Sequence, residues 1–290
     1  MACRHHIVVS TENNPYAAWQ TKLFHYSCVS RLGQLPIVIV HDSGRAWHTD
    51  FQDLVRAGAI VRSAPTYRTS LHDDYPPRNT AGTLLHAAEL LGGSEGDFIV
   101  LCDPDMIFAR APGFPETLSA DHYPYMMDYK DAEVRRVAES LGIDLEAPDT
   151  QKEELYCGVP YVIPLADARP LGEMWLEAIN RFSVTRRGDM MHAFGLAAVK
   201  LCMRITLTHM VDHNYWQTEP LKRDVIHYCY GDERWNKRDY FYAEQARKVW
   251  EAPTASAPPG SILSEILTQI REARAFYQAP KLFSPASPKF

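Results

Sequence analysis

The chain has 290 residues, of which 46% are hydrophobic and 11% aromatic, enough to bury the core of one large α/β domain. Its 30 Lys and Arg against 36 Asp and Glu give a net charge of −6, which argues against nucleic acid or a membrane as a partner, because both need a basic surface. The six cysteines are scattered without close pairs, and neither a signal peptide nor a membrane-spanning apolar stretch is evident. We therefore expect reduced thiols and a cytoplasmic location.

The first half of the chain alternates short β-branched runs with helical patterns. The runs are nearly all apolar, as expected of strands covered by helices on both faces, and they occupy residues 6–10, 36–42, 59–63 and 97–103. A helix is predicted to begin at Asn14 and Pro15 and to stop at Gly33, and a second helix is predicted within 80–93. This alternation predicts a Rossmann-like, mostly parallel sheet flanked by helices, with ligands beyond the carboxyl ends of its strands.

The second half of the chain is more mixed. Helices are predicted over 131–141, 170–182 and 189–204, and strands over 159–164, 205–211 and 224–230. Residues 252–260 form a Pro/Ala-rich linker, and the following segment places Ile262, Ile266, Ile270 and Ala273 on one helical face that should dock on the body. The tail 278–290 is Pro-rich and predicted to be loose. We expect a main domain over 1–251 and a C-terminal extension over 252–290.

Two carboxylates stand at the end of the strand predicted over 97–103. Asp103 and Asp105, separated by Pro104, follow the apolar run FIVLC. Burying an unpaired charge costs several kcal/mol, so a positive charge should lie beside them. Hard oxygen ligands that converge in this way suit Mg²⁺ or Mn²⁺, and the D-x-D pattern after a strand is typical of nucleotide-sugar glycosyltransferases of the GT-A architecture. In such a site the ion stabilises the charge on the departing nucleotide.

Two other functions remain open for this pattern. Phosphatases of the haloacid-dehalogenase type also place D-x-D after a strand, with the first Asp, here Asp103, as nucleophile. Against this, such a motif normally opens the fold, whereas about three predicted strands precede it here, and Ile107 stands where Thr or Val is usual. A non-catalytic nucleotide-sugar or carbohydrate binder that keeps the fold is the second alternative.

A third metal ligand is predicted in the late segment DVIHYCYGDERWNKRDY (224–240). His227 ends a β-branched run, and imidazole is a good Mn²⁺ ligand, so that a His from a late strand would complete the two carboxylates from an early one. His209 and His213 are interpreted as structural histidines. Lys237 and Arg238 follow closely enough to reach a diphosphate, which Arg can bind through two oxygens.

Eight stretches taken together resemble the hydroxyproline O-arabinosyltransferases and the related peptidyl-serine α-galactosyltransferases. The resemblance runs in order over nearly the whole chain. The stretches are PYAAWQTKLFHYS (15–27), PRNTAGTLLHAAEL (77–90), FIVLCDPDMIFAR (98–110), CGVPYVI (157–163), DMMHAFGLAA (189–198), VIHYCYG (225–231), WNKRDY (235–240) and PPGSILSEILTQIREA (258–273).

The resemblance implies a GT-A fold, a UDP-sugar donor, Mn²⁺ or Mg²⁺, and transfer with retention to a hydroxyl acceptor, on a peptide or a small molecule. It supports Asp103, Asp105 and His227 as the metal set. Asp103 is also expected to bind the donor, and Asp105 is also expected to be catalytic. It makes Gln20, Asn79 and Gly82 candidates for donor contacts; neighbouring Trp19 serves equally well as core. The family carries a membrane anchor, which is not found here, and Val159 stands where the family has a polar residue.

Asp189 opens an apolar helical stretch, where an N-cap is the simplest account of it. The resemblance places an acidic residue at this position, and a carboxylate there would orient sugar hydroxyls or stabilise a positively charged transition state. Both interpretations stay open. Four aromatic residues are candidates for stacking a sugar or a peptide, or for the core: Tyr75, Tyr123, Tyr125 and Trp216.

Overall fold

The central sheet has seven strands in the order β3-β2-β1-β4-β7-β6-β8. A computed structural model describes residues 3–42, 44–69, 73–92, 96–123, 130–147, 150, 152–183, 188–213, 217–251 and 256–279. The strands are β1 (His5–Glu12), β2 (Ile37–Asp42), β3 (Ile60–Pro65), β4 (Phe98–Cys102), β5 (Met106–Phe108), β6 (Ser119–His122), β7 (Cys157–Pro164), β8 (Thr206–Thr208), β9 (Val211–His213) and β10 (Val225–His227).

Helices cover the sheet on both faces. They are α1 (Pro15–Ser27), α2 (Thr49–Arg56), α3 (Arg78–Leu91), α4 (Ala132–Ser140), α5 (Ala168–Asn180), α6 (Asp189–Lys200), α7 (Ala243–Lys248) and α8 (Ile262–Gln278). Because both faces are covered, β1, β2 and β4 are almost entirely buried, which explains their continuous apolar runs. The edge strand β3 differs, because Arg62, Ser63 and Pro65 are exposed.

The four strands of the first half pair in parallel. Val8 of β1 lies opposite Ile37 of β2 and opposite Leu101 of β4, and β2 pairs in parallel with β3. These are the four strands that the apolar runs predict. Their common direction brings the carboxyl ends of β1 and β4 to one edge of the sheet, where ligands of such sheets bind.

The boundaries of α1 follow from its terminal residues. The side chain of Asn14 accepts a hydrogen bond from the Ala17 N–H at 2.8 Å, and Pro15 takes the first helical position. The helix continues as a π-helical turn over Cys28–Leu32, and Gly33 ends it with φ = 66°. The predicted start and stop are both confirmed.

The second half of the sheet is antiparallel at its centre. β7 pairs antiparallel with both β4 and β6, while β6 and β8 are parallel. The helix predicted over 189–204 ends at Lys200, and the strands predicted over 205–211 and 224–230 are shorter than expected, as β8, β9 and β10. The elements α2, α7, β5 and β6 are not among the predictions.

A small second sheet has the strand order β5-β10-β9, and its strand β5 begins directly after Asp105. It packs with α1 and α8 in a separate apolar cluster that includes Trp19 and Ile107. The face of α8 predicted to dock is buried in this cluster, and Gln269 of α8 donates a hydrogen bond to the Phe108 carbonyl at 2.8 Å. Thus α8 holds β5 in place from the outside.

Two general expectations can be compared with this fold. All six cysteines are free thiols, as predicted. Within the part of the chain that the structure describes, no helix has the length and apolar character that crossing a membrane requires. The tail predicted to be loose lies, from residue 280 onward, outside the described residues.

Candidate active site

The two aspartates lie in the tight connection between β4 and β5. β4 ends at Cys102 and β5 begins at Met106, so Asp103 and Asp105 stand at the carboxyl edge of a central strand. The Tyr228 N–H, directly after β10, donates to the Asp105 carbonyl at 3.0 Å. This bond fixes the end of the small sheet against the aspartate turn.

The structure brings Asp103, Asp105 and His227 together. One ligand atom from each lies within 4.8 Å of the others, and Nε2 of His227 is 3.2 Å from Oδ1 of Asp105. Asp105 and His227 are both buried. Two carboxylates and one imidazole in this arrangement fit a divalent cation such as Mn²⁺ or Mg²⁺, whose preferred donors are oxygen with some nitrogen.

Tyr123 fixes which nitrogen of His227 is available. The Tyr123 hydroxyl donates to the Val159 carbonyl at 3.0 Å, and the same oxygen lies 2.9 Å from Nδ1 of His227. Because the hydroxyl proton is already used, the oxygen accepts from Nδ1–H of His227. Nε2 therefore faces Asp105, which is the orientation that a metal-binding imidazole with an outer-shell partner adopts.

Lys237 supplies the positive charge that the aspartate pair requires. Its Nζ contacts Oδ2 of Asp105, and the lysine side chain is buried. Burial alone would raise the pKa of Asp105, but Lys237 and His227 outweigh it and hold that pKa well below its usual range. Burial likewise opposes the charge of Lys237 and of His227, yet the Asp105 carboxylate helps to raise the pKa of both.

Asp103 has the opposite electrostatic environment. Burial, followed by repulsion from Asp105, raises the pKa of Asp103 to about 6. The carboxylate that Lys237 does not contact thus carries the excess negative charge of the site. A cation placed between the two carboxylates would remove this repulsion, so the donor set favours metal binding on electrostatic grounds.

Asp189 is not the N-cap of its helix. Gly188 caps α6 with φ = 97°, and Asp189 is the first helical residue, with 1% of its surface exposed. The N-cap interpretation is therefore wrong, although a carboxylate in the first turn still favours the helix dipole. The Tyr75 hydroxyl accepts from the Met190 N–H at 3.2 Å; burial raises the pKa of Tyr75, and Asp189 and Asp103 both add to the rise. Both carboxylates are thus close enough to Tyr75 to affect its hydroxyl electrostatically.

Two of the residues predicted to contact the sugar donor, Gln20 and Asn79, make hydrogen bonds within the protein. The Gln20 amide donates to the Tyr16 carbonyl at 2.8 Å. Asn79 accepts from the Tyr67 N–H at 2.7 Å and donates to a Glu12 carboxylate oxygen at 3.2 Å, linking the end of β1 to the loop after β3. These contacts give Gln20 and Asn79 structural roles, and their contact with a donor stays a prediction.

Gly82 lies beneath an aromatic ring. A Cβ atom at this position would be 2.3 Å from Cδ2 of Tyr67, so that α3 reaches this loop only with glycine there. Trp19 is fully buried and stacks on Tyr228 with ring centroids 6.0 Å apart, which places it in the core beneath the His227 segment.

The remaining candidates lie at the edge of the site or outside the described residues. The guanidinium of Arg238 is exposed and lies 4.4 Å from the centre of the Tyr230 ring. Tyr125 and Trp216 are outside the residues that the structure describes.

His213 and Cys229 lie beside His227, although neither is among the predicted metal ligands. β9 and β10 pair in parallel with His213 opposite His227, and Cys229 is two residues beyond His227. Burial, then His227, lowers the pKa of His213 to about 3, so this imidazole is neutral. The alternation His227-x-Cys229 was the available signal for Cys229; the pairing of His213 becomes visible only in the sheet register.

The fold is that of GT-A glycosyltransferases, as predicted. An active-site mutant of LgtC superposes with a TM-score of 0.52 at 14% identity, over 88% of this chain and 98% of that one. A structure titled as the galactosyltransferase LgtC with donor and acceptor sugar analogues gives 0.49 at 15% identity over the same shares, and the bifunctional glycosyltransferase WbbM gives 0.47 at 10% over 93% and 52%. The similarity to the LgtC mutant, with a TM-score above 0.5, is the one that supports the fold assignment. No protein-family model and no curated protein matches the sequence.

Gly82→Ala tests whether this position is structural. We expect the methyl group to force Tyr67 away and to lower the free energy of unfolding by about 1–3 kcal/mol, measured by urea denaturation. Gly113→Ala is the matched control, because a Cβ there meets no atom within 4 Å. Equal stability of the two variants would contradict the close packing assigned to Gly82.

Proposed function

We propose that the protein is a metal-dependent glycosyltransferase that moves a sugar from a UDP-sugar to a hydroxyl acceptor. The observation that carries this proposal is the meeting of Asp103, Asp105 and His227 within 4.8 Å at the carboxyl edge of a GT-A sheet. The neighbouring Lys237 gives the same edge a buried cation. Such an edge matches the chemistry of a nucleotide diphosphate, which is anionic and binds divalent cations.

Asp103, Asp105 and Nε2 of His227 would hold Mn²⁺ or Mg²⁺. When bound, such an ion neutralises the charge that develops on the departing diphosphate. The outer contacts of the chain prepare these ligands: Tyr123 fixes the tautomer of His227, and the Tyr228 N–H holds the Asp105 backbone. These contacts orient the His227 ring and the Asp105 backbone in advance, which is how preorganised sites lower a barrier.

Lys237 and Asp189 have separate roles in this proposal. The Lys237 ammonium can exchange its contact with Asp105 for a diphosphate oxygen, and exposed Arg238 can bind a second one. Buried Asp189 would accept hydrogen bonds from sugar hydroxyls, and the Tyr75 hydroxyl is bound to the N–H of the next residue, Met190. Gln20, Asn79 and Gly82 would shape the donor side of the cleft through the scaffold contacts described above.

The resemblance to the hydroxyproline O-arabinosyltransferases supports the finer part of the proposal. By that resemblance, the sugar is arabinose or a galactose-like hexose, the acceptor hydroxyl belongs to a peptide, and transfer proceeds with retention. The six free thiols support a reducing, cytoplasmic environment for this reaction.

The fold does not favour the phosphatase alternative. In a haloacid-dehalogenase-type phosphatase the nucleophilic Asp would follow the opening strand, whereas β1, β2 and β3 precede Asp103 here. A non-catalytic binder differs from the proposed enzyme only in turnover, so the first experiment below separates the two.

A thermal-shift screen of UDP-sugars with and without Mn²⁺ tests the proposed function. We expect one UDP-sugar to raise the melting temperature only with Mn²⁺, since a ligand at 100 times its Kd stabilises by about 2.7 kcal/mol. Release of UDP on prolonged incubation with that sugar nucleotide identifies an enzyme; binding without release identifies a binding protein. ADP- and GDP-sugars serve as controls. Absence of any Mn²⁺-dependent shift would exclude a metal-dependent UDP-sugar site.

Asp103→Asn and Asp105→Asn should both reduce transfer by about 10²–10⁴-fold, because each removes a charge that holds the metal. Their stabilities should differ. Asp105→Asn leaves Lys237 buried without its carboxylate and should lower the free energy of unfolding by about 3–5 kcal/mol. Asp103→Asn removes a repelled carboxylate and should leave stability equal to or above wild type at pH 7.

The stability difference should depend on pH in a defined direction. The folded-state pKa of Asp103, about 6, lies above the ordinary value of 3.8 for an aspartate. Its contribution to stability is therefore fully present below about pH 4 and is lost as the pH rises through about 6. The advantage of Asp103→Asn should appear over the same window in urea unfolding. A less stable Asp103→Asn at pH 7 would contradict the charge assignment.

A further inference from the structure

A second donor set adjoins the aspartate turn. We propose that His213, His227 and Cys229 form a binding site for a softer divalent transition-metal ion, Zn²⁺ in particular. One ligand atom from each residue lies within 4.8 Å of the others. Unlike the aspartate pair, this set consists of two nitrogens and one sulfur, the donors that structural and catalytic zinc sites use.

The sheet register builds this donor set. His213 of β9 and His227 of β10 lie opposite each other in parallel strands, with ring centroids 5.8 Å apart. Cys229 follows His227 by two residues, just beyond the end of β10, and its sulfur lies within reach of both imidazoles. Both histidines are buried and Cys229 is half-buried. Two neighbouring strands and the segment after one of them thus bring three ligands together.

The dimensions suit a tetrahedral ion after a small adjustment. Zn–N bonds of about 2.0–2.1 Å and a Zn–S bond of about 2.3 Å place the ligand atoms of a tetrahedral site roughly 3.3–3.6 Å apart. The ligand atoms lie within 4.8 Å of one another, and side-chain rotation can bring them into that range. Zn²⁺ binding converts the Cys229 thiol to a thiolate and releases its proton to the buffer. Asp105, 3.2 Å from Nε2 of His227, is at hand as a fourth ligand.

The two donor sets share His227, which makes them mutually exclusive. Nδ1–H of His227 is bound to Tyr123, so the ring offers only Nε2 to a metal. One nitrogen cannot serve two ions. Zn²⁺ binds nitrogen and sulfur donors more tightly than Mn²⁺ does. Zn²⁺ on the new site should therefore block Mn²⁺ from the aspartate site. This competition rests on the proposed function, whereas the soft-metal site does not.

Cobalt spectroscopy tests the site without nucleotide and without an activity assay. Co²⁺ is added to the reduced, metal-free full-length protein, and absorption in the near ultraviolet reports thiolate-to-cobalt charge transfer. We expect one equivalent of Co²⁺ to give this band and Zn²⁺ to abolish it by displacement. Cys229→Ser should lose the band, while the matched control Cys202→Ser, which alters an exposed cysteine, should keep it. Thermal melting confirms that both variants fold.

Two further variants locate the ion. His213→Asn should weaken Zn²⁺ binding by at least the roughly 10–100-fold that loss of an outer-shell partner costs. Asp103→Asn should keep the cobalt band while losing Mn²⁺-dependent UDP binding, so that failure of the proposed function and failure of this site give different results. A Co²⁺ spectrum without a thiolate band, or a band that persists in Cys229→Ser, would overturn the proposal. Unchanged Zn²⁺ affinity in His213→Asn would overturn it as well.

Discussion

The structure at the end of β4 depends on compensating the negative charge of two neighbouring carboxylates. Asp103 and Asp105 follow a fully buried strand; Asp105 is buried and Asp103 is half-buried, so water screens their repulsion only in part. Lys237 contacts one of them, and that one is strongly ionised; the other is left with a raised pKa. The site therefore has one satisfied carboxylate and one that gains from an additional cation. This asymmetry, more than the D-x-D pattern by itself, is the physical argument for a metal.

A second small sheet holds these side chains together. β5 follows the aspartate turn directly, and β10 pairs with it antiparallel, so that His227 reaches Asp105 across 122 residues of sequence. Trp19 of α1 packs against Tyr228, and Gln269 of α8 binds the Phe108 carbonyl. The C-terminal helix thus supports the site from behind without contributing a ligand. Its docking places the residues of α8 in the same apolar cluster as β5 and β10.

The parallel half of the sheet was predictable because its cause is local. Continuous β-branched runs, a capping Asn14 with Pro15, and Gly33 at the helix end each act within a few residues. The small sheet was not predictable in the same way, because three-residue strands leave almost no periodicity to detect. For that reason His227 could be proposed from its residue type and position, while His213, which faces it through sheet register, was interpreted as structural. Asp189 is a third case. An acidic residue at the start of a helix is a typical N-cap, but here the N-cap is Gly188, which has a positive φ, and Asp189 is the first helical residue.

The central claim is that Asp103, Asp105 and His227 hold one divalent cation beside a diphosphate. Crystals grown with UDP and Mn²⁺ and measured near the manganese absorption edge test it most directly, because the anomalous signal locates the ion independently of the protein atoms. The account predicts one strong peak within coordination distance of both aspartates and Nε2 of His227, with the diphosphate next to it and Lys237 turned from Asp105 toward a phosphate oxygen. A peak elsewhere, or a bound nucleotide with no peak among these three side chains, would contradict it.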